Sequence, residues 1–126
     1  MQKPIALVTV VLDCLDIEAL SDFYVRMLGW KRKSAFADWI DTQHPDGGIK
    51  IGFQQDLEYV PPAWPESPPA QQQMAHLDFS VFSKAEMEEA VARAMACGAR
   101  KAETQYDERW TVMIDPAGHP FCFVLW

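Results

Sequence analysis

An internal repeat limits what this chain can fold into more than any other feature. Trp39, Pro45 and Gly47 recur as Trp110, Pro116 and Gly118, each displaced by 71 residues. The shared W-x5-P-x-G pattern leads into an apolar run in both copies, 49–53 in the first and 121–126 in the second. Upstream, each copy offers a strand and then a helix. Residues 5–12 are apolar and β-branched, after which Asp16 can cap a helix with Leu20, Phe23, Tyr24, Met27 and Leu28 at helical spacing, ended by Gly29. In the second copy Leu77, Phe79 and Val81 alternate with polar residues. Ser83 and Glu86 then form a capping box for a helix burying Met87, Val91, Ala94 and Met95, ended by Gly98. The two glycines lie 69 apart, within a small insertion of the other offset. The reading is an α+β fold of two βαβββ modules, 5–58 and 75–126, each half completing the other's core. Five prolines between 61 and 69 make 59–74 a linker, too proline-rich for a helix or a central strand.

The length of 126 residues, 49% of them hydrophobic, fits one globular domain spanning 1–126. A net charge of −7 repels phosphate backbones and anionic headgroups, which argues against nucleic-acid and membrane-surface roles. The apolar run at 5–12 is far shorter than the roughly 20 residues of a membrane helix. The N-terminus carries no signal-peptide cleavage pattern, so a cytoplasmic location is expected. Cys14, Cys97 and Cys122 are odd in number and widely spaced, which suggests free thiols rather than a disulfide framework or a thiolate zinc site.

Alternation along 75–81 puts His76, Asp78 and Ser80 on one face and Leu77, Phe79 and Val81 on the other, against a helix. The polar face is read as a hydrogen-bonded patch or a ligand contact; an acid/base pair of His76 and Asp78 is the catalytic alternative. Trp39 and Trp110 are module core, cleft wall or a recognition pair. Phe53, Tyr59 and Trp64 lie near the linker, where an aromatic could close a pocket or cover a sheet edge. His44 and His119 fall in or beside the repeated turns and are read as solvent-facing. Cys122, between Phe121 and Phe123, reads as a small buried hydrophobe. Glu86, Glu88 and Glu89 suit the positive end of the second helix.

The repeat, the strand Ala75-His76-Leu77-Asp78-Phe79-Ser80-Val81, the closing Asp115-Pro116-Ala117-Gly118-His119-Pro120-Phe121, and Asp22-Phe23-Tyr24 with Leu28-Gly29 together resemble the vicinal oxygen chelate superfamily. That group includes glyoxalases, extradiol dioxygenases, and fosfomycin and bleomycin resistance proteins. The resemblance implies an eight-stranded, incompletely closed barrel with a concave cleft, often in a homodimer. It also implies metal ligands, histidines and glutamates, on the first, fourth, fifth and eighth strands. Those positions map to Thr9, Ile51, His76 and Cys122, of which His76 alone matches, so no bound metal and no cofactor are expected. The resulting expectation is a metal-independent binding protein for a small, partly aromatic ligand. Thr9, Trp39, Ile51, Phe53, His76, Asp78, Trp110 and Cys122 are its candidate ligand-binding residues, and the net charge favours a cationic ligand. The alternative is a lyase, isomerase or dioxygenase relative using His76 with further ligands.

Overall fold

The structure is a computed structural model and describes residues 2–126. The chain divides into two compact units, one ending at Tyr59 and the other running Val60–Trp126.

The first unit contains β1 (Thr9–Cys14), α1 (Ile17–Leu28), β2 (Lys31–Phe36), β3 (Trp39–Gln43) and β4 (Lys50–Gln55). Its sheet has the order β1-β4-β3-β2, with β1 parallel to β4 and the other pairs antiparallel. In the second unit, β5 (Leu77–Val81), α2 (Lys84–Cys97), β6 (Arg100–Lys101), β7 (Trp110–Ile114) and β8 (Pro120–Leu125) repeat the plan as β5-β8-β7-β6, with β5 parallel to β8. These are two βαβββ modules of an α+β fold, and neither sheet closes on itself. No helix among the described residues is long and apolar enough to cross a membrane.

Local chemistry sets the element ends. Asp16 accepts a hydrogen bond from Ala19 N at 3.0 Å and starts α1, which Gly29 ends in the left-handed region at φ 70°. Ser83 Oγ accepts from Glu86 N at 3.1 Å while the Glu86 carboxylate accepts from Phe82 N at 2.6 Å, closing the expected capping box. The expected first strand is shortened, because β1 begins only at Thr9, opposite the first residue of β4. The ladder closes where Lys50 N donates to Val8 O at 2.9 Å, and upstream Ile5 is 99% exposed.

Each helix covers one face of its sheet. In the first unit Tyr24 of α1 stacks on Phe53 with ring centroids 5.5 Å apart, and Phe23, Ile40 and Ile51 are buried with them. In the second, Phe79, Phe121 and Phe123 form an edge-packed cluster, Phe121 meeting Phe123 at 5.6 Å and 90°. Burying one such ring contributes about 1.5–3 kcal/mol, so a one-residue slip of β8 would forfeit several kcal/mol at once. That fixes the register, and with it the side chains on the opposite, helix-free face.

Candidate functional site

The helix-free face of the second unit follows from that register. Asp78 pairs with Cys122, Val112 with Cys122, and Trp110 with Val124, so these five side chains share one face. His76 lies one residue before β5 and projects to the same side as Asp78. Above them is a cavity of about 390 Å³. Its walls are the rings of Trp64, Tyr106 and Trp110, with Val112, Pro120 and Val124, and its polar patch is His76, Asp78 and Cys122.

Three loop features hold the walls. Ala63 N donates to Gln71 O at 2.8 Å across the proline-rich segment, and Trp64 packs against the buried Ala102, Val112, Ile114 and Cys122. Trp64 meets Tyr106 edge-on at 6.2 Å, and its indole N–H is buried without a hydrogen-bond partner. Gln105 substitutes for a missing stretch of strand beyond β6. Its amide nitrogen donates to Ala102 O and Val112 O at 2.9 Å each, and its Oε1 accepts from Val112 N at 2.8 Å. The neighbouring Tyr106 is thereby anchored at the cavity. Finally, Arg109 lies 5.6 Å from the Trp110 ring centroid and is gripped through two nitrogens by Asp107, at 3.0 and 2.9 Å. Those hydrogen bonds hold the Asp107 carboxyl at about 2. Arg109 is therefore paired with Asp107, and Asp78, in contact with His76, is the carboxylate that lines the cavity.

The polar patch is compact. His76 Nε2 lies 3.2 Å from Asp78 Oδ1, and one donor atom from each of His76, Asp78 and Cys122 falls within 4.8 Å of the others. His76 and Asp78 have side chains 44% and 54% exposed, whereas Cys122 is 7% exposed. Burial first, then the charge of Asp78 and its hydrogen bond, push the Cys122 thiol up to about 11. In this setting Cys122 is a protonated thiol at neutral pH and a poor nucleophile.

The first unit uses the equivalent face differently. Trp39 pairs with Gln54 as Trp110 pairs with Val124, so Asp41 corresponds to Val112 and Gly52 to Cys122. The Trp39 ring lies where a side chain at position 52 would sit, and a Cβ built on Gly52 would meet it at 2.4 Å. Its indole N–H donates to Asp41 at 3.0 Å, and Asp41, 4% exposed, also accepts from Ser34 N at 2.9 Å. Trp39 thus plugs its own sheet face. Trp110 has the apolar Val112 in place of Asp41, and Cys122 in place of the glycine, so that face stays open.

Two expected cleft residues need correction. Ile51 and Phe53 face α1, not the helix-free side, since Phe53 stacks on Tyr24 and Ile51 lies two residues before it. The position matching Cys122 in the fourth strand is Gly52. The turn between β3 and β4 spans six residues and that between β7 and β8 spans five, so the offset of 71 in the Trp-Pro-Gly pattern becomes 70 in the strands that follow. One residue reverses the face. Thr9 does lie on the helix-free side, its Cγ2 3.1 Å from a Cβ built on Gly52. Neither residue offers a carboxylate or imidazole, so the His/Glu metal set of the resembled superfamily does not fit this chain. The sequence reading left the role of Trp64 open and did not single out Tyr106, Val112, Pro120 or Val124. Alternation through Trp110 and Cys122 points to Val112, Pro120 and Val124, while Tyr106 leaves no periodic signal.

A βαβββ repeat in each unit, with a cavity on the helix-free sheet face of the second, defines an α+β fold of paired modules. Residues 9–124 match the glyoxalase-like domain family, and the chain belongs to that family, within the vicinal oxygen chelate superfamily. No curated protein matches it. Among solved structures, it is similar to a glyoxalase/bleomycin resistance protein from Albidiferax ferrireducens, with TM-score 0.68 and 18% identity over 95% of this chain and 98% of that one. A possible glyoxalase from Bacillus cereus gives TM-score 0.71 and 13% identity over 96% and 99%. A lactoylglutathione lyase from Agrobacterium tumefaciens gives 0.66 and 18% over 98% and 96%. At these identities the likeness is one of fold.

Proposed function

We propose that the protein is a metal-independent small-molecule binder of the glyoxalase/bleomycin resistance type, taking a small, partly aromatic, cationic ligand into the cavity of the second unit. The observation that carries this reading is the pairing of three aromatic rings, Trp64, Tyr106 and Trp110, with one half-exposed carboxylate, Asp78, around about 390 Å³. Such a volume suits a small ligand, and aromatic faces attract a cation by about 0.5–2 kcal/mol. The net charge of −7 draws the same sign of ligand. The buried, unpaired Trp64 N–H suits a ligand that also carries an acceptor. The protein is further proposed to act as a cytoplasmic homodimer.

A thermal-shift screen of aromatic ammonium compounds with a chelator present tests the reading. A ligand at a hundred times its Kd stabilises by about 2.7 kcal/mol. Hits should lose their shift in Trp110→Ala and Asp78→Asn. Shifts that appear only on adding a metal, or that persist in both variants, would refute it. A second reading, a lyase or isomerase using His76, is favoured by the 3.2 Å His76–Asp78 contact, since a carboxylate so placed can orient an imidazole for proton transfer. Turnover lost in His76→Ala would select it.

A further inference from the structure

The helix-free face of the first unit carries an aromatic occupant of its own. The Trp39 ring lies over Gly52 so closely that a Cβ there would collide with it, and its in-plane N–H donates to Asp41 at 3.0 Å. Asp41 is the cross-strand partner of Gly52. The second unit repeats this relation from the strand on the other side, because Asp78 is the cross-strand partner of Cys122, the residue equivalent to Gly52. Each carboxylate also has a basic neighbour, Lys50 at 3.8 Å from Asp41 and His76 at 3.2 Å from Asp78. What differs is the occupant. Trp110 meets Cys122 where Trp39 meets a glycine, so it cannot settle to the same depth, and a cavity of about 390 Å³ adjoins Asp78 instead. We infer that the ligand of the second unit is a planar aromatic cation with N–H donors in its own plane, of the amidinium or protonated amino-heteroaromatic class, and that it takes the part on this face that Trp39 takes on the other. The inference rests on the reading of this cavity as an organic-cation site and specifies the cation.

Donor chemistry separates this class from other organic cations. A quaternary ammonium suits the rings of Trp64, Tyr106 and Trp110 but brings Asp78 no hydrogen bond. An alkylammonium brings donors, yet they point away from the plane of its ring. A planar cation does both, offering a face to the aromatic walls and parallel N–H groups to the carboxylate, the arrangement that makes bidentate pairs strong. Asp78 has the capacity for it, since a carboxylate has about four acceptor sites and its partners are the His76 imidazole and the Cys122 thiol. A delocalised cation is also more weakly hydrated than an ammonium, which suits a site whose other lining includes Val112, Pro120 and Val124.

Calorimetric titration of the chelator-treated full chain with benzamidinium, benzylammonium and phenyltrimethylammonium separates the classes, since each carries one phenyl ring and one positive charge. Benzamidinium should bind at least about fivefold tighter than benzylammonium and about tenfold tighter than phenyltrimethylammonium. Asp78→Asn, at a half-exposed position that folding tolerates, should bring the three within about twofold of one another, which removes hydration of the cation alone as the cause. The inference alone is overturned, with the cation-binding reading intact, if benzylammonium or phenyltrimethylammonium binds within about fivefold of benzamidinium or tighter, or if the order survives Asp78→Asn. Binding by none of the three overturns the inference together with the reading it rests on.

Discussion

Replacing Gly52 by alanine tests why the sheet face beside Trp39 is filled while the equivalent face beside Trp110 is open. The new methyl would lie 2.4 Å from Trp39 Cη2, 2.6 Å from Cζ2 and 3.1 Å from Thr9 Cγ2, so the indole has to leave its place over the sheet. Overpacking of this kind costs about 1–3 kcal/mol. Breaking the 3.0 Å bond from Trp39 Nε1 to the buried Asp41 carboxylate adds about 1.5–3 kcal/mol if the ring swings out far enough. The Trp39 ring is partly exposed and can yield in part, so the expected loss is about 2–3 kcal/mol. Urea unfolding of Gly52→Ala, Trp39→Ala and the double variant reads this directly. With Trp39 gone only the 3.1 Å approach to Thr9 Cγ2 remains, and Gly52, whose backbone is ordinary strand, should accept alanine within about 0.5 kcal/mol of neutral. A strong coupling between the two changes is the signature. The reasoning fails if Gly52→Ala costs less than about 0.5 kcal/mol in the wild-type background, or if its cost is the same with and without Trp39.

Three further expectations follow from other parts of the chain. The Cys122 thiol, raised from 9.0 to about 11, keeps its proton in the folded state where the unfolded chain has lost it. Its contribution is therefore complete below the unfolded value and is lost as pH rises from about 9 through about 11. Urea midpoints should fall more steeply over that range in wild type than in Cys122→Ser, and parallel curves would contradict this. Gln105→Ala strips the partner from Val112 N and should cost about 1–3 kcal/mol in denaturant unfolding, whereas Glu103→Ala, exposed in the same loop, should cost under about 0.5 kcal/mol. Sedimentation at micromolar concentration should give a dimer, since β1 and β5 stand at the edges of their sheets, where a second copy can dock; a concentration-independent monomer would refute it.

Much of the fold was legible because it rests on short-range chemistry. Asp16, Gly29, Ser83, Glu86 and the Trp-Pro-Gly turn act within a few residues of where they stand, so spacing alone exposes them. Alternation likewise placed His76 and Asp78 together. What failed was counting across a turn of unequal length. Gly48 adds one residue to the first copy, and in a strand one residue exchanges the helix-facing side for the open one, so Ile51 stood in for Gly52. The aromatic walls were hidden for a different reason. Trp64 and Tyr106 lie in segments without period, held by Ala63–Gln71 and Gln105–Val112 bonds between residues that nothing in the sequence pairs.

The central claim, that the second unit's cavity selects an aromatic cation through Asp78, is tested most directly by calorimetric titration of chelator-treated protein with three probes of one shape. These are phenethylammonium, 2-phenylethanol and 3-phenylpropionate. Asp78 is half exposed, so its attraction is screened to about 1–2 kcal/mol, roughly five- to thirtyfold in affinity. The cation should bind tightest and the carboxylate weakest, and Asp78→Asn should erase the advantage of cation over alcohol while leaving the alcohol's affinity unchanged. Equal binding of all three probes, a preference for the carboxylate, or a cation preference that survives Asp78→Asn would contradict the account.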